Sequence, residues 1–501
     1  MNARDSALTV SILLALMLVF LVNPETIPAG SGFGFDGVTY ARMVAEIDVM
    51  IANNELSEYY AQRIVPSLIV RVGLQTLGLP FDAANIIGGF RVLNCLLIVA
   101  ALGLWMAIAQ RMRMSPAGFW IGILGLILIF PNAKQLFYYP VLTDTFAFTI
   151  GLAMVWSHLT GRTALTACIA IIGALAWQMT GVIGMVLIAS SFLSAGPPDR
   201  VRAETIGRPL VITILAVSTL AVLAIGASYL LGLDLERLIF GRQFVSDPFL
   251  QLLTNIPVLA LAGCFAAYLL ACCLAARWRL YGSRSKVIMA LLLLTAITVL
   301  PSIVIRLIAN PEISPPGLSG YGEILKAMLV GRVREGMIFL SVVSHATYYG
   351  PLFLIFLLMW RSVLYKTFDM GPAFVLITAL FVVLSIFSES RFTFLLWPFV
   401  VTVISKTVSE LKLSRMSLGL MALGAIGFSK VWLVINQGPW PKPDLAALQE
   451  WPKSIYFSSL GPWMSLENYL IQGMIVGLLL IALHFSLRKS YGYESASSTR
   501  K

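Results

Sequence analysis

The stretch AANIIGGFRVLNCLLIVAALGLWMAIA, Ala83–Ala109, decides the class of fold. Arg91 is its one charge, and a helix needs about 20 such residues to cross the hydrocarbon core of a bilayer, whereas a buried core helix needs far fewer. Outward from it, comparable stretches recur at 7–23, 115–131, 140–159, 163–177, 180–194, 209–232, 255–275, 287–308, 345–364, 370–388, 392–408, 416–435 and 467–487. The expected fold is therefore all-α: one polytopic membrane domain over 1–501, with about 14 transmembrane helices. Composition points the same way. At 58% hydrophobic and 12% charged residues, with a mean hydropathy of +0.87, the chain dissolves in lipid and is no water-soluble globule.

Residues 7–23 read as a retained span, because no small-residue cleavage pattern follows and Asn23-Pro24-Glu25 is a poor site for signal peptidase. Cys95, Cys168, Cys264, Cys272 and Cys273 all fall inside proposed spans without ligand spacing. They are expected to be small packing residues, not disulfides or a zinc site.

Orientation follows from Lys and Arg. With Arg4 inside, the returning connections carry Arg111, Arg162, Arg200, Arg277, Arg361, Lys406 and Arg488 among others. That face holds 20 of the 35 basic residues and 6 of the 24 acidic ones, a net of +14 against −3 outside. The positive-inside rule makes the basic face cytoplasmic, with both termini there. It also accounts for the pI of about 9.5 through short loops facing anionic headgroups, with no nucleic acid required.

The loops are as unequal as the charges. The longest cytoplasmic connection, 195–208, is too short for a nucleotide-binding domain, and no P-loop or Rossmann fingerprint is present. The outer loops are 24–82, 233–254, 309–344 and a Pro- and Trp-rich one at 436–466. Chemistry at that face needs a substrate that arrives already activated. The first outer loop holds the polar residues: Phe35-Asp36-Gly37, Tyr40, Glu46, Asp48, Tyr59-Tyr60, Arg63 and Pro66. Val38, Ala41, Val44/Ala45, Asp48 and Ile51/Ala52 recur at helical spacing, so 38–52 reads as a short helix lying on the membrane. A second such helix is expected over 57–77. Pro66 either kinks it or opens a new helix.

These features together resemble the GT-C superfamily of polytopic membrane glycosyltransferases. The likeness rests on the whole-chain architecture and on four short motifs at one face: Phe35-Asp36-Gly37-Val38-Thr39-Tyr40, Tyr60-Ala61-Gln62-Arg63-Ile64-Val65-Pro66, Leu142-Thr143-Asp144 and Ser388-Glu389-Ser390-Arg391-Phe392. The resemblance implies an inverting transferase in a bacterial inner membrane, moving a sugar from a polyprenyl-phosphate donor to a glycan, lipid or protein acceptor. It implies Asp36 as general base, drawing the proton from an acceptor hydroxyl. The competing reading of Asp36 is a helix cap in an Asp-Gly turn. Gly37 stands where some branches carry a second acid, so no cofactor is expected and a divalent metal is not favoured.

Asp144 is the second catalytic candidate, holding acceptor, donor hydroxyl or metal, or else simply sitting at a helix N-terminus. Arg391 and Arg63 are expected to grip the donor phosphate with their forks of N–H donors, with Glu389 orienting Arg391. A structural Glu389–Arg391 pair is the alternative. Lys134 either joins the phosphate site or snorkels to the interface. Tyr40 and Tyr60 support the site, while Trp177, His345, Tyr348 and Tyr349 are expected to anchor at the interface as an aromatic belt. A transporter or flippase of a lipid-linked saccharide is the alternative function. Charges in mid-span and two symmetry-related halves would mark it, whereas here the charges gather at one face.

Overall fold

The computed structural model describes residues 11, 25–230, 247–280, 284–313, 337–411, 413–437, 450–461 and 464–498. The expected span 7–23, apart from Ser11, lies outside them, as do most of the 233–254 and 309–344 loops and the Gly438–Pro443 part of the Pro- and Trp-rich loop.

Helices dominate. In chain order they are α1 (Gly37–Ala52), α2 (Ile64–Thr76), α3 (Ala83–Arg111), α4 (Pro116–Leu126), α5 (Asp144–Leu159), α6 (Thr163–Ala174), α7 (Met179–Ser190), α8 (Arg200–Leu230) and α9 (Asp247–Ala275). There follow α10 (Arg284–Ile308), α11 (Leu340–Tyr349), α12 (Pro351–Leu358), α13 (Trp360–Met370), α14 (Pro372–Leu384), α15 (Trp397–Ser409), α16 (Arg415–Ser429) and α17 (Leu466–Ser498). By length and composition, 5 of the described helices can cross a membrane, or up to 7 if each of two bent pairs counts as one span. The α3 helix is the longest of the early ones because Asp82 caps it, accepting a 2.8 Å bond from the Asn85 N–H, and no proline interrupts it.

Several expected spans are instead broken. The 115–131 stretch stops at Leu126, and the chain restarts at Pro131 with a bend of 58°, since a proline supplies no N–H and its ring crowds the preceding turn. The 345–364 stretch divides twice: at Gly350, whose φ of 70° ends α11, and at an 88° bend between α12 and α13. The 416–435 stretch ends at Ser429, where Lys430 turns left-handed at φ 56°. A helix of 12 residues, such as α6 or α7, rises only about 18 Å.

The connections meet at two ends. At one, Ile27 N–H bonds Tyr138 O at 2.7 Å, Val65 N–H bonds Leu175 O at 3.1 Å, and Asn310 N–H bonds Leu56 O at 2.8 Å. The charge pattern predicts all of these at the outer face. At the other, β1 (Leu193–Ala195) pairs antiparallel with β2 (Trp278–Leu280), Lys366 meets Glu410 at 2.7 Å and Lys406 reaches Met112 O at 3.2 Å. These were assigned to the inner face.

The first loop forms its own small core on the ends of α3, α6 and α10. Tyr40, Met43, Val44, Ile47 and Met50 of α1 are buried there with Val70, Leu74, Ile86 and Phe90, each worth roughly 1.5–3 kcal/mol where the alternative is water. Of the expected face, Ala41 and Val44 are buried while Val38, Asp48 and Ala52 are exposed; the face is turned toward Tyr40, Met43, Ile47 and Met50, the side chains that pack in this core with Val70 and Leu74 of α2. The expected 57–77 helix is two pieces, Glu58–Ala61 and α2. They separate at Arg63, whose φ of −131° leaves the helical range, and Pro66 sits in the first turn of α2.

Candidate active site

Asp36 precedes α1 in a helical conformation, and its side chain makes no capping bond. The helix-cap account therefore fails locally: with φ −58° and ψ −28°, the residue lacks the extended backbone that swings a cap side chain back onto the first turn. Its half-buried carboxylate makes no hydrogen bond or ion pair among the described residues. What holds Asp36 is its backbone. The Tyr139 hydroxyl accepts the N–H groups on either side of it, Phe35 at 2.7 Å and Gly37 at 3.1 Å. This explains Gly34, where a Cβ would lie 2.3 Å from the Tyr139 ring at a φ of +73°.

Around Asp36 stand Tyr40, Tyr59, Tyr60, Tyr139 and Arg391, all close enough to feel its charge. Burial, reinforced by that carboxylate, pushes the four phenols above their usual range, so they stay neutral hydroxyls at physiological pH.

Arg391 lies in the turn Ser390–Thr393. Its fork closes on Asp144, the first residue of α5, with Nε to Oδ1 at 2.9 Å and Nη2 to Oδ2 at 3.1 Å. Burial opposes the arginine's charge, but the Asp144 carboxylate more than offsets it, aided by Asp36 and Glu389, and the guanidinium is held well above its ordinary pKa. The turn is anchored from behind. Tyr349 Oη donates to Ser390 O at 2.9 Å, and the Ser390 hydroxyl meets His345 Nδ1 at 2.9 Å. His345 Nε2 lies 2.9 Å from Ser385 O, which can only accept, so Nε2 carries the proton and Nδ1 accepts from Ser390.

Arg63 is differently placed. Its Nη1 donates to Tyr59 Oη at 2.6 Å and Tyr40 Oη at 3.0 Å, and its guanidinium lies over the rings of Tyr59 at 4.0 Å and Trp177 at 4.7 Å. It is 7% exposed, its Nε has no partner, and no carboxylate pairs with it among the described residues. The positive charge of Arg391 also reaches it. Tyr60 packs edge-on against Tyr40 and Tyr59 at 5.7 and 5.0 Å.

Two candidates are engaged elsewhere than expected. Lys134 pairs with Glu25 at 2.7 Å, both nearly buried, and Glu25 also accepts the N–H groups of Ile435 and Asn436 at 2.8 and 2.9 Å. This ammonium would have to give up Glu25 to meet a phosphate. Glu389 bridges Leu460 through its backbone, and the carboxylate filling the Arg391 fork is Asp144. Nor do Trp177, His345, Tyr348 and Tyr349 form an exposed belt: all four are at most 5% exposed. Their polar atoms explain the discrepancy for His345 and Tyr349, which bond the Arg391 turn. Tyr59, Tyr139 and Glu25 carry roles that local spacing does not signal. Among the described residues no three His, Cys, Asp or Glu side chains converge as a metal site would require.

Chemically, the cluster offers a carboxylate without a hydrogen bond or ion pair among the described residues, a carboxylate-bound arginine that feels its charge, and a buried guanidinium with no counter-ion among those residues, together with neutral phenols. No protein-family model, curated protein or solved structure matches this chain.

Proposed function

We propose that the chain is an inverting glycosyltransferase of GT-C type, using a polyprenyl-phosphate sugar at the outer face of a bacterial inner membrane. The observation that carries this is the half-buried Asp36 carboxylate, which makes no hydrogen bond or ion pair among the described residues yet lies close enough to Arg391 to act on its charge. Asp36 takes the proton of an acceptor hydroxyl as its oxygen attacks the anomeric carbon. The bond from that carbon to the phosphate oxygen breaks, and the electron pair leaves on the phosphate. Arg391 and Arg63 meet the charge that grows there, while Asp144 sets the Arg391 fork. Lys134 is assigned to bracing the first loop against residues 435 and 436. No metal is required, because the phosphate leaves with two guanidinium groups at hand. Purified protein incubated with labelled polyprenyl-phosphate sugars and a panel of acceptors should release the free lipid carrier. Movement of intact donor across liposomes without any transfer would replace this function with that of a flippase.

The proposal includes about 14 crossings, the shorter apolar helices completing spans in broken pieces, with both termini cytoplasmic. Cysteine scanning tests it. With the native cysteines replaced by Ser, Ala52→Cys and Gln437→Cys, both at exposed positions, should react with an impermeant thiol reagent applied outside. Arg202→Cys should react only after permeabilisation. The reverse pattern would put Asp36 on the cytoplasmic face.

Tyr139→Phe removes the acceptor of two backbone N–H groups, each costing about 1–3 kcal/mol if left buried and unpaired. Turnover is expected to fall about tenfold or more, because Asp36 loses its fixed position. Unchanged turnover in a well-folded variant would release Tyr139 from this role.

A further inference from the structure

At the end of the molecule opposite Asp36, the last turn of α5, the start of α6, the end of α7 and the start of α14 line an open cavity of about 280 Å³. That is far above the roughly 10–15 Å³ needed for one water. His158, Arg162, Thr163 and Ser191 supply polar wall, Leu187 and Met370 apolar wall, and no carboxylate lines it. A polar cavity open to solvent, with an exposed arginine and no acid in its wall, can receive an anion.

The charge is held in place. The Arg162 guanidinium lies over the Trp156 ring at 4.9 Å and takes part in no ion pair among the described residues. The His158 ring packs on Phe374 at 6.1 Å, and its nitrogens make no hydrogen bond among those residues. Two helices also begin at the cavity, α6 after Arg162 and α14 after Gly371, and neither start is capped by a side chain. The first-turn N–H groups that remain open add to the positive potential that the arginine establishes. Gly161 and Gly371, at φ +70° and +108°, face open space there and keep the mouth clear.

We propose that this cavity binds a phosphate ester, its anionic oxygens taken by the Arg162 guanidinium, a His158 ring N–H and the Thr163 hydroxyl. The apolar wall of Leu187 and Met370 takes the carbon substituent. An inner-leaflet phospholipid headgroup and a free phosphate compound share this chemistry. The site is separate from the Asp36 cluster and does not depend on the proposed transferase activity.

The test uses the full-length protein in nanodiscs of phosphatidylcholine, read by melting temperature. One arm adds phosphatidylglycerol to the disc and the other adds inorganic phosphate to the buffer. Stabilisation by several degrees in either arm is expected, the responding arm naming the source. Arg162→Gln should weaken the apparent affinity about tenfold or more, by loss of a charge-assisted bond. Thr163→Glu places a carboxylate at the first helical position, where the helix favours it, so the fold is kept while anions are repelled from the cavity. Arg202→Gln removes a nearby exposed arginine outside the cavity and should respond like wild type. No stabilisation in either arm would overturn the proposal, as would a response undiminished by both Arg162→Gln and Thr163→Glu.

Discussion

Asp36→Asn is expected to lower sugar transfer by about two to four orders of magnitude, the contribution of a positioned general base, while leaving the protein as stable as the wild type. The second half follows from the structure. Among the described residues the Asp36 carboxylate is in no ion pair, and it caps no helix, so an amide of the same shape removes none of their contacts. The Tyr139 bonds go to the backbone of Phe35 and Gly37 and survive the change. Donor binding should be preserved or slightly improved, because a negative charge near the phosphate has gone. Turnover by radiolabel release, with donor binding measured separately, checks it. Near-normal transfer by the folded variant would remove Asp36 from the chemistry.

The second large effect concerns the Arg391–Asp144 pair. With side chains 16% and 5% exposed, the pair sits where breaking one partner leaves an uncompensated buried charge, a loss of about 3–5 kcal/mol. Arg391→Met and Asp144→Leu should each lower the melting temperature sharply, and the double variant should recover much of the loss, since no charge is then orphaned. Activity should not recover with it. Arg391→Lys separates the roles further, because a point charge cannot occupy both Asp144 oxygens as the fork does. It should reduce kcat more than it weakens donor binding, the arginine meeting charge that grows only as the glycosidic bond breaks. Transfer at wild-type rate by the stable double variant would make the pair a structural clasp alone.

The charged candidates are legible in the chain; their partners are not. Arg391 draws attention because charge beside hydrocarbon is costly to leave idle, and Asp36 because the motif around it resembles that of the GT-C superfamily. Lys134, just before Asp144 in the sequence, is instead engaged by Glu25, 109 residues earlier. Tyr139 escaped notice because its hydroxyl acts on backbone more than 100 residues away. The helices show the same division. Uninterrupted apolarity predicted α3 well, while the stretches carrying Pro131, Gly350 and Pro351 broke where an N–H is missing or a positive φ is taken.

By itself the sequence determined that the chain is helical and that its long apolar segments suit lipid. Apolar length and the unequal spread of Lys and Arg are local properties, and transfer into lipid responds to them segment by segment. Only the tertiary structure decided the pairings: Asp144 with Arg391 across 247 residues, Arg63 with tyrosines and, among the described residues, no acid, and Asp36 with no hydrogen-bond or ion-pair partner among them. A carboxylate and a guanidinium attract any opposite charge that comes near, so their partners are chosen by how the helix ends are packed together, and that packing is written in no single stretch of the chain.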